Sequence, residues 1–386
     1  MDIQEYFKTM VQTEASDLYL TVNRPPMYRI QGKIKPDGDH LFTPEEVHGI
    51  AMTIMNEKQQ REFAETMEMN MAMSLPGVSR FRVNIFQQRG SVGLVVRRIK
   101  AEIASLNDLG LPDILKDIVM SKRGLVLVVG ATGSGKSTSL AAMVDHRNAN
   151  EASHIITIED PIEFVHRHKL SIVTQREVGF DTHSFQAALK NTLRQAPDVI
   201  LIGEIRDTET MEAAMTFAET GHLCLGTLHS NNSNQAIERI MNFFPIERHP
   251  QIYMQLSLNL RAIVSQRLIP SVDGKRTPAL EVLIDTPRIK DLIKKGEIDT
   301  LKEGMEQGVQ EGSQTFDQAL FALYKEGKIN LEQALINADS ANNLRLKIKL
   351  AGMKVDQDPV VEPSSEETST KPSSLQVANA FRLRKN

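Results

Sequence analysis

The chain has 386 residues, of which 41% are hydrophobic and 24% are charged, as is typical of a globular protein with two or three domains. A formal net charge of −4 argues against a general nucleic-acid binder, because phosphate contacts need concentrated Lys and Arg. The single cysteine, Cys224, excludes an internal disulfide and a zinc–thiolate cluster, and we expect a reducing cytoplasm as the compartment. No apolar run approaches the length of a membrane-spanning helix.

The N-terminal part of the chain, 1–100, predicts a small α/β domain. Two short strand patterns are separated by Pro25 and Pro26, which cannot lie inside a paired strand. The stretch "TPEE" at 43–46 is a capping-box pattern with proline at the first helical position. It predicts one helix that extends to about Phe63.

A strand pair is predicted at 80–99, with its turn at Arg89-Gly90. In the first of these strands, alternation places Phe81, Val83 and Ile85 on one face and polar side chains on the other. The hairpin therefore has one face suited to a hydrophobic core.

The pattern changes after a predicted linker at 101–113, and residues 114–354 predict a second domain. From about residue 230 the pattern is helical, including the whole of 250–269, and 355–386 is predicted to be a disordered polar tail rich in Ser, Pro and Glu. Before that, short apolar runs alternate with helical stretches, which favours a parallel sheet flanked by helices. The runs are at 125–129, 155–158, 199–202 and 223–228.

A complete phosphate-loop pattern, "GATGSGKS", follows the first apolar run and precedes a helical stretch. In such a loop the backbone N–H groups turn inward around phosphate oxygens, Lys136 reaches the β and γ phosphates, and the Ser137 hydroxyl can bind Mg²⁺. We therefore predict that ATP and Mg²⁺ bind here. The predicted nucleotide-binding residues are Gly130, Ala131, Thr132, Gly133, Ser134, Gly135, Lys136, Ser137 and Thr138.

Acidic residues follow two of the other apolar runs. The third run ends at Gly203 and Glu204, so a glycine stands where many phosphate-loop ATPases have the magnesium-binding aspartate. The second run is followed by three carboxylates, Glu159, Asp160 and Glu163. Because parallel strands present their carboxyl ends at one edge of the sheet, these side chains are expected near the phosphate loop. One carboxylate can then serve the metal and another the attacking water.

Two histidines flank the fourth run, and they cannot share one role. His222 and His229 are seven residues apart, which corresponds to about 23 Å along an extended strand. His229 lies at the predicted active edge and suits a sensor of the γ-phosphate, with a hydrogen bond to the next loop as the alternative. His222 lies at the opposite end and is expected to be structural or at a subunit contact.

Four motifs together resemble the secretion-ATPase superfamily. They are the phosphate loop, the acidic stretch "TIEDPIEF" at 157–164, the Gly-Glu strand end, and the box from His222 to His229. Over residues 1 to about 352 the chain is most similar to the type IV pilus retraction ATPases, PilT and PilU. That resemblance implies a PAS-like N-terminal domain and a RecA-like ATPase domain, assembled into hexamers at the cytoplasmic face of the inner membrane. Members hydrolyse ATP to withdraw pili.

The resemblance also implies roles for individual residues. Glu163 is the expected general base, and Glu204 is expected to support Mg²⁺ through water, with Ser137 and Glu159 as further metal-side residues. Arg82 and Arg97 are expected to reach the nucleotide of a neighbouring subunit, where a guanidinium stabilises the transferring phosphoryl group. A solvated hairpin face is the alternative for these arginines.

Two differences from other members of the superfamily narrow the resemblance to the retraction ATPases and, among these, to PilU. Pilus-extension motors carry a four-cysteine zinc module, which one cysteine cannot build. The stretch "RIKDLI" at 288–293 has Lys and Asp where PilT has Arg and Asn, and together with the long polar tail it is more similar to PilU, the accessory type. A PilT-type ATPase and the inner-membrane platform protein of the pilus are the implied partners. A nucleotide-binding adaptor on a separate motor, a secretion or extension ATPase, and a DNA-translocating motor remain alternatives.

Overall fold

The computed structural model describes residues 3–75, 78–99 and 102–353, and these form two β-sheets, each with its own hydrophobic core. The predicted polar tail at 355–386 lies outside the described residues. Within those ranges, no helix combines the length and the apolar character needed to cross a lipid bilayer.

The N-terminal sheet is six-stranded and antiparallel, in the order β3-β2-β1-β6-β5-β4. The predicted hairpin is confirmed, and Phe81, Val83 and Ile85 are completely buried on its inner face. The ring of Phe7 stacks on Phe81 with centroids 4.3 Å apart, which fixes the first helix on the sheet. The elements of this part are α1 (Ile3–Gln12), β1 (Asp17–Leu20), β2 (Met27–Ile30), β3 (Lys33–Pro36), α2 (Pro44–Ile54), α3 (Glu57–Thr66), β4 (Glu68–Leu75), β5 (Ser79–Gln88) and β6 (Ser91–Ile99).

The prediction of one helix from 44 to about Phe63 is wrong, because the chain breaks between α2 and α3. Met55 is extended and buried, and Asn56 begins a second capping box. The Asn56 side chain accepts a hydrogen bond from the N–H of Gln59 at 2.9 Å, and the Gln59 side chain accepts one from the N–H of Asn56 at 2.9 Å. This reciprocal pair stabilises a new helix start more than a continuous helix.

The second sheet has seven strands in the order β13-β12-β7-β11-β10-β8-β9. The four apolar runs predicted as strands form its centre as β7, β11, β10 and β8, all parallel and side by side, which confirms that prediction. The elements are α4 (Ile114–Val119), β7 (Gly124–Val129), α5 (Lys136–Asn150), β8 (His154–Glu159), β9 (Ile172–Glu177), α6 (Phe185–Thr192), β10 (Val199–Ile202), α7 (Thr208–Glu219), β11 (Leu223–Leu228), α8 (Ser233–Met241), α9 (His249–Asn259), β12 (Leu260–Pro270), β13 (Arg276–Ile284), α10 (Pro287–Lys295), α11 (Leu301–Gln307), α12 (Phe316–Lys325), α13 (Leu331–Ile336) and α14 (Ala341–Leu350).

Both faces of this sheet are covered, as runs apolar on both faces require. In β7, Leu125, Leu127 and Val129 belong to one core with helices α7 to α10, whereas Val126 and Val128 belong to the opposite core with α4 and α5. The fold is therefore an α/β sheet flanked by helices, as expected from the sequence.

The prediction of a continuous helix over 250–269 is wrong beyond Asn259. There the chain becomes β12, which pairs in parallel with β7 and antiparallel with β13. The β-branched residues Ile263 and Val264 are fully buried, and a turn at Asp273 and Gly274 closes the β12–β13 hairpin. A buried apolar run has no periodicity that separates a helix from a central strand, so the run alone was ambiguous.

The C-terminal helices α12, α13 and α14 pack on the β12–β13 hairpin. Phe316 and Leu320 of α12 share a core with Ile269 and Ala279 of the hairpin. The guanidinium of Arg267 lies 3.8 Å from the centroid of the Phe316 ring, which adds a cation–π contact to this packing.

The cap at Asn56 gives a testable local effect. Replacing Asn56 with Ala removes the acceptor for the first turn of α3, so amides 57–60 should exchange with solvent several times faster. Hydrogen-exchange mass spectrometry measures this directly. The matched variant Thr43→Ala should act on the first turn of α2 instead, and equal protection of 57–60 in both variants would show that the second cap contributes nothing.

Candidate active site

A cavity of about 310 Å³ opens at the carboxyl edge of the four central strands. Its size is at the lower end of small-molecule sites, which span roughly 300–1,000 Å³. The structure thus brings together residues from the phosphate loop and from the ends of β8, β10 and β11. Its polar and charged side chains come from Thr132, Lys136, Ser137, Glu159, Asp160, Glu163, His166, Glu204, Arg206, Thr227 and His229, and Gly133 and Gly203 also line it.

The phosphate loop connects β7 to α5, with Lys136 and Ser137 in the first turn of the helix. Gly135 has a φ of 89°, a conformation that side-chain-bearing residues rarely adopt, and it directs the chain into the helix. The Lys136 ammonium donates hydrogen bonds to the carbonyls of Gly130 at 2.7 Å and Ala131 at 3.0 Å. It is therefore folded over the loop that the sequence assigns to phosphates.

The acidic stretch after β8 lies within electrostatic range of this lysine. Burial lowers the pKa of Lys136, and the negative charges of Glu204 and Glu163 act in the opposite direction. Both carboxylates line the cavity together with the lysine. The carboxylates predicted to serve the metal and the attacking water thus line one cavity.

The glycine at 203 has a steric cause. A Cβ atom added to Gly203 would lie 3.1 Å from both the Cα of Glu159 and the carbonyl oxygen of Ile158. Both of these are backbone atoms of the neighbouring strand β8, which cannot rotate away as a side chain can. An aspartate at this position would therefore press against the strand that carries the acidic stretch.

Glu204, the next residue, is held by two basic side chains. Its Oε2 accepts a hydrogen bond from Arg206 at 2.6 Å, and its Oε1 lies 3.1 Å from Nε2 of His229. Burial by itself raises the pKa of the Glu204 carboxyl, but the hydrogen bond from Arg206 and the positive charges of Arg206, His229 and Lys136 leave the pKa below its ordinary value. Glu204 is therefore ionised at neutral pH, as an outer ligand of a cation needs to be.

Glu159 lies deeper, where burial raises the pKa of its carboxyl above the ordinary value. Its Oε1 accepts hydrogen bonds from the hydroxyl of Thr157 at 2.6 Å and from the side-chain amide of Gln175 at 3.2 Å. Gln175 also donates to the carbonyl of Phe164 at 2.9 Å. Gln175 on β9 thus fixes both ends of the segment that carries Glu163, and sequence analysis missed it because β9 itself was missed.

The residues expected on the metal side, Ser137, Glu204 and Glu159, all line the cavity. In the part of the chain that the structure describes, no three His, Cys, Asp or Glu side chains converge as a complete cation site. This donor set fits Mg²⁺, which is usually bound by one or two protein ligands together with substrate phosphates and water.

His222 and His229 lie at opposite ends of β11, as the spacing predicted. The Nδ1 atom of His222 lies 3.1 Å from the Thr220 hydroxyl and 3.2 Å from the Phe217 carbonyl, contacts that hold the turn before the strand. Only His229 of the two lines the cavity.

Arg82 and Arg97 face each other across the N-terminal hairpin and do not line the cavity. Arg97 pairs with Asp17 at 2.8 Å, although 71% of its side chain stays exposed. Next to them, Arg80 lies 3.4 Å from Glu177, a buried carboxylate at the end of β9. Burial raises the pKa of Glu177, and the charges of Arg80 and Arg82 offset part of this rise. The N-terminal hairpin therefore contacts the strand next to the acidic stretch.

The family model of type II/IV secretion system proteins matches residues 2–324. The chain belongs to this family. The type IV pilus ATPase PilU of Pseudomonas aeruginosa is 55% identical over 359 residues, which cover 93% of this chain and 94% of that protein. The type IV pilus retractation ATPase PilT of the same organism is 42% identical over 89% of this chain and its full length.

A solved structure agrees with these relatives. The crystal structure of the pilus retraction motor PilT with bound ADP has a TM-score of 0.83 and 43% identity, and the match covers 90% of this chain and 99% of that one. The expected fold, with an N-terminal domain and a RecA-like ATPase domain, is confirmed by this match. This member of the secretion family is an ATPase of the pilus retraction group.

The stretch "RIKDLI", which differs from PilT, lies in α10. Ile289, Leu292 and Ile293 of this helix are buried in the core beneath it. The two departing residues face outward, where Lys290 pairs with Asp285 at 2.9 Å and Asp291 pairs with Lys295 at 2.8 Å. The departure therefore changes the surface of the helix and leaves its packing intact.

The contact at Gly203 predicts that restoring the common aspartate does harm in this secretion ATPase. Gly203→Asp should lower the steady-state rate of phosphate release at least about tenfold, because β8 must shift and carry the acidic stretch with it. The matched control is Gly226→Ala on β11, whose added methyl group meets side-chain atoms and no backbone: Ile205 at 2.8 and 3.4 Å and Leu127 at 3.7 Å. Unchanged activity of Gly203→Asp would contradict the steric explanation.

Proposed function

We propose that the chain hydrolyses MgATP as a subunit of a homo-hexameric ring at the cytoplasmic face of the inner membrane, where the ring assists type IV pilus retraction as a PilU-type accessory motor. The single observation that carries the proposal is the cavity at the strand ends, lined by Lys136, Glu163, Glu204 and His229 together. The 55% identity to PilU supports the assignment to pilus retraction.

In this proposal the phosphate loop binds the triphosphate through its backbone N–H groups, from Gly130 to Thr138, and through the Lys136 ammonium. The lysine exchanges its carbonyl contacts in the loop for phosphate oxygens. Ser137, Glu204 and Glu159 would hold Mg²⁺, whose charge offsets that of the phosphates.

Glu163 orients or deprotonates the attacking water, which needs a carboxylate that lines the cavity beside Lys136. His229 reports the γ-phosphate, because its Nε2 lies against Glu204 at the end of the neighbouring strand. A change in the charge near Glu204 therefore acts directly on His229, which begins the loop to α8.

The ring assembly is proposed with domains 1–100 and 114–354, joined by the linker at 101–113. Arg82 and Arg97 act in trans on the nucleotide of a neighbouring subunit in this scheme. The exposed side chain of Arg97 supports it, since that guanidinium is accessible to another chain. Hydrolysis at such a boundary changes the angle between the two domains, and the ring converts this change into movement.

The proposed partners are a PilT-type retraction ATPase and the inner-membrane platform protein of the pilus, with no nucleic acid. The outward face of α10, with Lys290 and Asp291, is where this chain departs from PilT on its surface. Dependence on a PilT-type partner is the functional consequence proposed for that departure.

An adaptor that binds nucleotide without hydrolysing it is the second candidate, and the altered surface of α10 is the observation that favours it. Phosphate release by the purified chain, measured together with its oligomeric mass and repeated with the PilT-type ATPase, separates the two. Turnover by a hexamer of this chain alone supports the motor function. A rate that the partner stimulates and that Glu163→Gln abolishes supports it as well. Nucleotide binding with no turnover under either condition supports the adaptor.

Two substitutions test the site itself. Lys136→Ala should reduce phosphate release at least about a hundredfold by removing a charge from the phosphates. Glu163→Gln should preserve nucleotide affinity but lower turnover by about the same factor, because the amide cannot accept the proton. Phosphate release and fluorescent-nucleotide titration measure both effects.

The matched control is Glu219→Gln, which changes an exposed carboxylate at the far end of α7. It should leave both quantities unchanged. A normal steady-state rate in Glu163→Gln would remove this residue from the mechanism, and binding of single-stranded DNA at low salt would instead support a translocating motor.

A further inference from the structure

Gln266 lies beside the phosphate loop, although it comes from a part of the chain that the sequence patterns assign to a helix. It is on β12, where Ser265 pairs with Val129, so Gln266 is next to Gly130, the first residue of the loop. Only 3% of the residue is exposed. A nearly buried amide side chain therefore supports the loop from the side of β12.

Both the NH2 group and the oxygen of this amide form hydrogen bonds. The Nε2 atom donates a hydrogen bond to the carbonyl of Ser134 at 2.9 Å, and the Oε1 atom accepts one from the hydroxyl of Ser139 at 2.7 Å. Ser134 is in the loop, and Ser139 is in the first turns of α5. Gln266 thus links the loop to the helix whose N-terminus faces the proposed phosphates.

The two loop glycines nearest to Gln266 have little space for a side chain. A Cβ atom on Gly130 would lie 2.6 Å from the backbone oxygen of Gln266, and one on Gly135 would lie 2.8 Å from its Nε2. These distances are shorter than real contacts of a Cβ atom. The backbone of β12 therefore leaves no space for a side chain at Gly130, and a side chain at Gly135 would have to displace the Gln266 amide.

The hydrogen bond to Ser134 has a consequence for the next N–H group. In a planar trans peptide, the carbonyl of Ser134 and the N–H of Gly135 point in opposite directions. Because the carbonyl points toward Gln266, the N–H of Gly135 points away from β12. A phosphate loop binds anions only when such N–H groups face inward and the carbonyls face outward.

We propose that Gln266 is a positioning residue for the triphosphate: it fixes the peptide between Ser134 and Gly135 so that the Gly135 N–H faces the phosphates. It acts through this peptide and does not touch the nucleotide. The inference rests on the proposed placement of the nucleotide at the phosphate loop. It assigns to β12 a part in phosphate binding in addition to its place in the sheet.

The sharpest test is Gln266→Glu, which keeps the size of the side chain but replaces the amide donor with a carboxylate oxygen. A carboxylate facing the Ser134 carbonyl repels it, so the peptide turns and its N–H is lost to the phosphates. We expect the Kd for fluorescent ADP and the KM for ATP to rise on the order of tenfold or more, with a smaller change in kcat. Thermal unfolding measured in parallel reports on stability.

Ser139→Ala is the matched control, since it removes the other hydrogen bond of the same amide and leaves the donor to Ser134 in place. Its Kd should change less than about threefold. Gln266→Met keeps the volume, lacks the donor and adds no charge, and its Kd should lie between those of Gln266→Glu and the unaltered chain. This variant also serves if Gln266→Glu fails to fold.

Each result has one reading. The proposal is overturned if Gln266→Met binds nucleotide as the unaltered chain does, because weaker binding by Gln266→Glu alone would then be direct repulsion of the phosphates by its added charge. It is also overturned if Ser139→Ala weakens binding as much as Gln266→Met does. Lys136→Ala separates this failure from failure of the nucleotide site. If Lys136→Ala weakens binding and the Gln266 variants do not, the site stands and only the role of Gln266 falls.

Discussion

The parallel register of four strands is the constraint on which the site depends. Val199 of β10 pairs with Ile155 of β8 on one side and with Leu223 of β11 on the other, and Leu228 of β11 pairs with Val129 of β7. In this register all four strands end at the same edge of the sheet. The backbone hydrogen bonds of the sheet are therefore enough to bring four features together: the phosphate loop, the acidic stretch, Glu204 and His229.

The carboxylates at that edge differ both in burial and in their hydrogen-bonding and charged partners. Glu204 is paired with basic side chains and has a lowered pKa, whereas Glu159 is buried among neutral donors and has a raised pKa. Two acidic groups in one cavity therefore differ in how readily they ionise, because one has basic partners and the other has only neutral hydrogen-bond donors. Gly203 contributes to the same arrangement. Because it has no side chain, β8 and β10 approach closely enough to place Glu159 and Glu204 in one cavity.

The outer strands connect this edge to the rest of the molecule. On one side, β9 carries Gln175 against the acidic stretch and presents Glu177 to Arg80 of the N-terminal hairpin. On the other side, β12 carries Gln266 against the phosphate loop, and the next residue, Arg267, packs on Phe316 of the C-terminal helices. Each flanking part of the molecule therefore contacts a strand that also contacts the edge of the cavity.

The sequence by itself determined the phosphate loop, the central strands and the side chains at their ends, because glycine spacing and short apolar runs are local signals. It also determined which histidine lies at the active edge, since strand length alone separates His229 from His222. The capping pattern at Asn56 and Gln59 is a local signal for the helix break, but the helical pattern that continues to Phe63 favours one unbroken helix. Only the tertiary structure decided that β9 and β12 flank the centre, because a buried or short apolar segment becomes a strand through its pairing partners. The supporting roles of Gln175 and Gln266 depend on that pairing, and no local pattern contains it.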